Sequence, residues 1–328
     1  MRRSYLTGFG KVSEVLGVEE APVPTPQKGE LLLEMLAAPV NPADLNIIEG
    51  KYGELPELPA VIGNEGVGRV KACGGGVEGY SPGDLVLPMR WGTWTQFMTV
   101  PAKAAVRIPS DLDPIQASMM SVNPLSAWAM LEEFVDLQAG DWVVQNAANS
   151  AVGRSAIQIA KARGWRTLNV VRRPELVDEL KSQGADVVVL EEVDLRAEVE
   201  NLCGTLRPRL ALNAVGGASA LNLANALGDG GTLVTYGAMG RQPLKLPNGL
   251  LIFRDLAFRG FWLKKWSAQL SSARRAEVMA GLVKLSLSGQ LKMPVHRVFP
   301  LTELVDAIAE ANQEGRSGKV LLDLLAQG

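Results

Sequence analysis

The sequence predicts an α/β protein in which a β-rich domain, assembled from both ends of the chain, brackets a doubly wound parallel-sheet domain. Three observations predict it. The chain has 328 residues, too many for one ordinary hydrophobic core. From Val12 to about Val106, short strand-like runs are punctuated by Gly, Pro and Asp. From Asp141 onward, short apolar runs alternate with helical stretches, the pattern of a parallel sheet covered by helices on both faces.

In chain order, strands are expected almost from the first residues, then at Glu30–Leu36, Gly66–Val70 and Asp84–Leu87. A short helix at Asp44–Ile48 follows Pro42, which suits a first helical turn because its missing N–H has no partner to lose. Ser110 or Asp111 is the expected cap of a second helix running through Ala117. The middle of the chain reads as strand Trp142–Val144, helix Val152–Arg163, strand Thr167–Val171 and helix Glu175–Ser182. Further strands are expected at Val187–Leu190, Leu210–Leu212, Gly231–Thr235 and Leu256–Phe261. The C-terminal segment supplies strand Val295–Phe299, helix Leu301–Ala311 and strand Lys319–Leu322, and its β-rich character matches the first domain. The expected domains are therefore residues 1–121 with 290–328, and residues 122–289.

Composition removes several function classes. With 33 basic against 35 acidic residues and a formal net charge of −2, the chain has no electrostatic footprint for nucleic acid or a membrane surface. Cys73 and Cys203, with the single histidine His296, make neither a disulfide framework nor a metal set. No apolar run approaches the roughly 18 residues of a membrane span. Met1-Arg2-Arg3-Ser4 leads into no signal-peptide core, so a cytoplasmic protein or a trimmed mature chain, mitochondrial if eukaryotic, is expected.

The chemistry-bearing segment is Val143 to Gly153, a strand, a turn of small residues and the start of a helix. Small side chains there let backbone N–H groups approach a pyrophosphate at a helix N-terminus. Most of the usual glycines are replaced by Ala and Ser, while Gly153 keeps the tight helix–strand contact. The next strand ends in Arg172-Arg173, where an NAD site would carry an acidic residue for the ribose hydroxyl. Guanidinium forks suit a 2′-phosphate instead, so NADPH is the expected cofactor; the bland alternative is two solvated arginines at a helix entry. Asn213-Ala214-Val215-Gly216-Gly217 and Tyr236-Gly237-Ala238-Met239 are further small-residue turns after strands.

The segments NPADLNIIEGKYGELPELPAVIGNEGVG, IPSDL, SVNPLSAW, VVQNAANSAVGRSAIQIA, NVVRRP, TLVTYGAMGRQP and LLIFRDLAFRGFWLKKW span almost the whole chain. Together they resemble the trans-2-enoyl-CoA/ACP reductases, the zinc-free mitochondrial type within the medium-chain dehydrogenase/reductase superfamily. The resemblance implies a GroES-like catalytic domain plus a Rossmann domain, NADPH as cofactor, and a homodimer formed through the edge strand near Leu256–Phe261. It implies a catalytic role for Tyr52. It also implies cofactor contacts from Asn123, Asn149, Ser150, Ala151, Val152, Arg172, Arg173, Tyr236, Gly237, Ala238, Met239, Phe261, Trp262, Leu263 and Lys319. Ala151 stands where the family often has Gly, and the loop after Asn169 is one residue shorter than in some relatives. Zinc-dependent members of the superfamily have Cys near Val40–Asn41 and His at the position of Asn64; neither is present, so no metal is expected.

For an enoyl thioester from coenzyme A or a carrier protein, hydride added at Cβ pushes charge onto the thioester oxygen, and Cα then takes a proton. A phenol, with a reference pKa of about 10, keeps its proton at neutral pH, so Tyr52 can orient the thioester and either donate the proton or steer a water. The alternative for Tyr52 is simple packing on a loop. Trp262 and Trp266 could border an acyl channel or belong to core or a dimer face. Lys264, Lys265, Arg274 and Arg275 could meet substrate phosphates or form a solvated face. Two other functions compete: a quinone oxidoreductase of the zeta-crystallin-like branch, and a non-catalytic NADPH-binding protein.

Overall fold

The computed structural model describes residues 1–203 and 207–326; the side chain of Cys203 lies outside the described residues. The chain forms two compact units, Met1–Val122 together with the segment from Lys292 onward, and Asn123–Leu291. Strands β1 (Arg2–Leu6), β2 (Leu16–Glu20), β3 (Glu30–Pro39), β4 (Val67–Cys73), β5 (Leu85–Leu87), β6 (Phe97–Pro101) and β7 (Val106–Ile108) belong to the first unit. The second holds β8 (Trp142–Gln145), β9 (Arg166–Val171), β10 (Val187–Leu190), β11 (Leu210–Asn213), β12 (Thr232–Thr235) and β13 (Ala257–Gly260). Strands β14 (Val295–Pro300) and β15 (Lys319–Asp323) return to the first.

The first unit is organised around β3. Its alternate residues Leu31, Leu33 and Met35 are fully buried, as the two-residue repeat of a strand dictates. Each such side chain contributes roughly 1.5–3 kcal/mol of burial. Strand β3 pairs antiparallel with β4, β6 and β15, and the register Leu321↔Pro39 and Leu322↔Ala38 is what closes the chain's last strand onto its first domain. The core is completed by Trp94, whose indole N–H donates to the Pro39 carbonyl at 3.2 Å.

The second unit is a six-stranded parallel sheet in the order β10-β9-β8-β11-β12-β13. The chain order reverses between β8 and β11, and ligands of doubly wound sheets bind outside the carboxyl ends of the strands at such a switch point. Val144, Leu168, Ala211 and Leu233 are register neighbours on β8, β9, β11 and β12 and share one buried face of the sheet. No helix among the described residues is long and apolar enough to cross a membrane.

Two helices differ from the sequence expectation. The cap before Ala117 is Asp113, not Ser110 or Asp111. Its carboxylate accepts from the Ile115 N–H at 3.0 Å, and Pro114 occupies the first helical position, so the helix starts later than expected, at Pro114–Ser118. The Asn123–Glu133 helix carries no amphipathic signature, because every residue from Asn123 to Leu131 is buried.

Candidate active site

In the second unit, β8 ends at Gln145 and the chain turns through Asn146–Asn149, with Ala147 in the left-handed region at φ 47°. Ser150 caps the Ala151–Arg163 helix, its hydroxyl accepting from the Gly153 N–H at 3.1 Å. A Cβ on Gly153 would lie 2.5 Å from the Ala148 carbonyl, so only glycine allows this approach of helix to strand. Asn149 and Ser150 thus lead into the helix that Ala151 and Val152 open, and the N–H groups and dipole of a helix N-terminus favour an anion.

A belt of buried amides braces the strand ends. The Gln145 side chain donates to the Gly153 carbonyl at 2.9 Å and to Asn169 Oδ1 at 2.8 Å. Asn146 donates to Asn213 Oδ1 at 2.9 Å and accepts from the Ala214 N–H at 2.8 Å. Asn213 in turn donates to the Thr235 hydroxyl at 3.0 Å. In the sequence Asn213 stands in one of the expected small-residue turns, but the bracing role of the amides at the ends of β8 and β11 depends on partners far apart in the chain. These amides hold the loops after β8, β11 and β12 in fixed relation.

Tyr236–Met239 follows β12. Gly237 is required there, since a Cβ would meet the Ala214 carbonyl at 2.9 Å. Ala238 and Met239 are exposed, and the Met239 N–H is held by Ala214 at 2.9 Å. The Tyr236 hydroxyl is buried without a partner of hydrogen-bonding geometry among the described residues, and burial pushes this phenol above the usual tyrosine range, with the nearby Ser150 side chain acting in the opposite sense. Arg172 is exposed and Arg173 half-buried just beyond the end of β9, Arg173 lying 3.5 Å from Glu175. Phe261 follows β13, and its ring packs edge-on to Phe134 and tilted against Trp266, each at 6.3 Å. Trp262 caps the Leu263–Gln269 helix, and Asn123 is buried at the start of its own helix.

A dinucleotide fits this turn. The two glycines let the loops pack tightly against the Ala148 and Ala214 backbone, and the buried Tyr236 hydroxyl beside the helix N-terminus lacks a partner that a bound polar group would provide. Of the basic residues considered for substrate phosphates, Arg274 is engaged by Glu132 at 2.8 Å and Glu277 at 3.0 Å.

In the first unit, Asn41 precedes the Pro42–Ile48 helix and its N–H donates to Asp44 at 2.7 Å. The helix stops at Gly50, whose φ of 71° turns the chain into Lys51-Tyr52. Tyr52 is partly buried and packs against Trp91, ring centroids 6.5 Å apart and tilted by 55°. Behind this helix lies a buried charged cluster. Asn41 donates to Glu65 at 2.8 Å, Asn64 donates to Asp44 at 2.6 Å, and Glu65 accepts from the Val122 N–H at 2.8 Å.

Lys319, expected to touch the cofactor, is also a member of this cluster. Its ammonium is buried and donates to the Val40 carbonyl at 2.8 Å and to Asn41 Oδ1 at 2.6 Å. Burial lowers the Lys319 pKa and raises that of Glu65, while the attraction between the two works against both shifts. Burial likewise raises Asp44 to about 6, against the donors Asn41 and Asn64 and the charge of Lys319. Asn41 and Asn64 thus serve as hydrogen-bonding members of an ionic network.

Fold and site together define a two-domain oxidoreductase of the medium-chain dehydrogenase/reductase class. The model for the alcohol dehydrogenase GroES-like domain matches residues 27–110, and that for the zinc-binding dehydrogenase matches residues 151–278. The human mitochondrial enoyl-[acyl-carrier-protein] reductase is 44% identical over 321 residues, which cover 96% of this chain and 85% of that protein. The complex of Etr1p, a 2-enoyl thioester reductase of Candida tropicalis, with NADP and crotonyl-CoA superposes with a TM-score of 0.89 at 29% identity, covering 98% of this chain and 99% of the other. A mycobacterial quinone oxidoreductase superposes with a TM-score of 0.87 at 26% identity over 98% of this chain and 99% of its own. The chain belongs to the family of the mitochondrial enoyl-[acyl-carrier-protein] reductases.

Proposed function

We propose that this protein reduces the C2=C3 double bond of trans-2-enoyl thioesters, carried on coenzyme A or acyl carrier protein, with NADPH as reductant in fatty-acid synthesis. The observation that carries this assignment is the 44% identity with an enoyl-[acyl-carrier-protein] reductase over nearly the whole chain.

NADPH, when bound, supplies the hydride that Cβ of the substrate accepts. The chain's own residues do the rest. The Asn149–Val152 turn, at the N-terminus of the Ala151–Arg163 helix, offers N–H groups and a helix dipole to the pyrophosphate. Arg172 and Arg173 present guanidinium forks to the 2′-phosphate. Asn123, Tyr236–Met239 and Phe261–Leu263 border the remainder of the cofactor. Lys319, which orders Val40 and Asn41 through two hydrogen bonds, has a third N–H to offer the cofactor. Tyr52 donates a hydrogen bond to the thioester oxygen as charge develops there, and either gives its own proton to Cα or steers a water that does.

A homodimer formed by extension of the parallel sheet is part of the same assignment. Strand β13 is the sheet's edge, and the adjoining Asn248–Ile252 helix and Phe253 expose Leu251, Ile252 and Phe253, the last at 82%. The similarity to a quinone oxidoreductase supports a second reading, reduction of quinones by the same cofactor. Following NADPH oxidation with trans-2-enoyl-CoA and with a quinone, each repeated with NADH, separates the two.

A further inference from the structure

A buried cation stands at an unusual place in the second unit. Arg154 lies in the first turn of the Ala151–Arg163 helix and is 1% exposed. A positive charge at a helix N-terminus opposes the helix dipole, and burying it adds a desolvation cost. Two contacts offset this. The Arg154 Nε–H donates to the Asn149 carbonyl at 2.9 Å, and its guanidinium pairs with Glu179 at 2.8 Å. The Ser150 N–H, on the other side of the same peptide, donates to the Ala147 carbonyl at 2.9 Å, so that peptide is fixed at both ends. Glu179 belongs to the Leu176–Ser182 helix, which begins three residues after Arg173.

We propose that Arg154 is a positioning residue for cofactor selection. It braces the turn that receives the pyrophosphate and, through Glu179, ties that turn to the helix following Arg172 and Arg173. The two halves of the cofactor site are thereby held in one register. This inference rests on the NADPH assignment above.

The test is equilibrium binding of NADPH and NADH, read by nucleotide fluorescence, to the wild type, Arg154→Met, Glu179→Gln and the double variant. Arg154→Met is expected to weaken NADPH roughly tenfold and NADH less, so that the preference between them narrows. Glu179→Gln, a change at a side chain 33% exposed, is expected to narrow the same ratio while Arg154 still holds Asn149. The double variant should fall short of the product of the two single effects, because both act through one contact. Should Arg154→Met not fold, the ratio in Glu179→Gln decides alone. An unchanged ratio in the folded variants, or equal losses for both nucleotides, overturns the inference while leaving the NADPH assignment intact. A wild type that shows no preference for NADPH overturns both together.

Discussion

The ammonium of Lys319 donates to the side-chain carbonyl of Asn41 at 2.6 Å, joining the last strand of the chain to the residue that opens the helix before Tyr52. Glu65 completes the link by accepting from the other end of the same amide at 2.8 Å. Removing the cation leaves two carboxyl groups buried without their counter-charge. Lys319→Met is therefore expected to destabilise the first unit by about 3–5 kcal/mol, measured by denaturant unfolding. A loss below about 1 kcal/mol would show that the cluster does not depend on its lysine.

The raised pKa of Asp44 gives a pH dependence of definite sign. Because the folded state holds this proton more tightly than the unfolded chain, its contribution is fully present below the unfolded pKa of 3.8 and is lost as pH rises through about 6. Asp44→Asn cannot titrate. The stability advantage of the wild type over this variant should therefore narrow between about pH 4 and pH 6 and stay flat above about pH 7. Unfolding curves of both proteins across this range give the answer, and an advantage that widens with pH contradicts it.

Gly153→Ala tests the turn after β8. The added Cβ would lie 2.5 Å from the Ala148 carbonyl and 2.7 Å from its Cα, both rigid backbone atoms. Strain of this kind costs about 1–3 kcal/mol. Thermal unfolding should register that loss, and NADPH affinity should fall with it because the turn must open.

The arginines after β9 make a separate prediction. Each charge-assisted hydrogen bond to a phosphate is worth about 1.5–3 kcal/mol, so replacing Arg172 and Arg173 together by Ala should reduce NADPH affinity at least tenfold. NADH affinity should change little. Titration of both nucleotides into the variant checks this, and equal losses would remove the arginines from 2′-phosphate recognition.

The sheet of the second unit was legible because its strands and most of its helices differ in period, and Gly, Asn and Pro mark the joints between them. The Asn123–Glu133 helix was not, since burial on every side erases the polar stripe by which a helix is recognised. The turn at Asn149–Val152 could be read from its small residues. Its braces, Gln145, Asn146, Asn213 and Arg154, could not, because their roles depend on partners between 5 and 68 residues distant. Lys319 shows the same limit in its sharpest form: its contacts with Val40 and Asn41 span 279 and 278 residues, and only the pairing of β15 with β3 brings them together.

Reduction of enoyl thioesters with help from Tyr52 is decided by NADPH consumption with a short trans-2-enoyl-CoA in the wild type and in Tyr52→Phe. Thioester turnover is expected to prefer NADPH over NADH and to exceed quinone turnover, with a fall of roughly 10²–10⁴-fold in kcat/KM on loss of the hydroxyl. Thioester turnover unchanged in Tyr52→Phe, or turnover with the quinone alone, would contradict it.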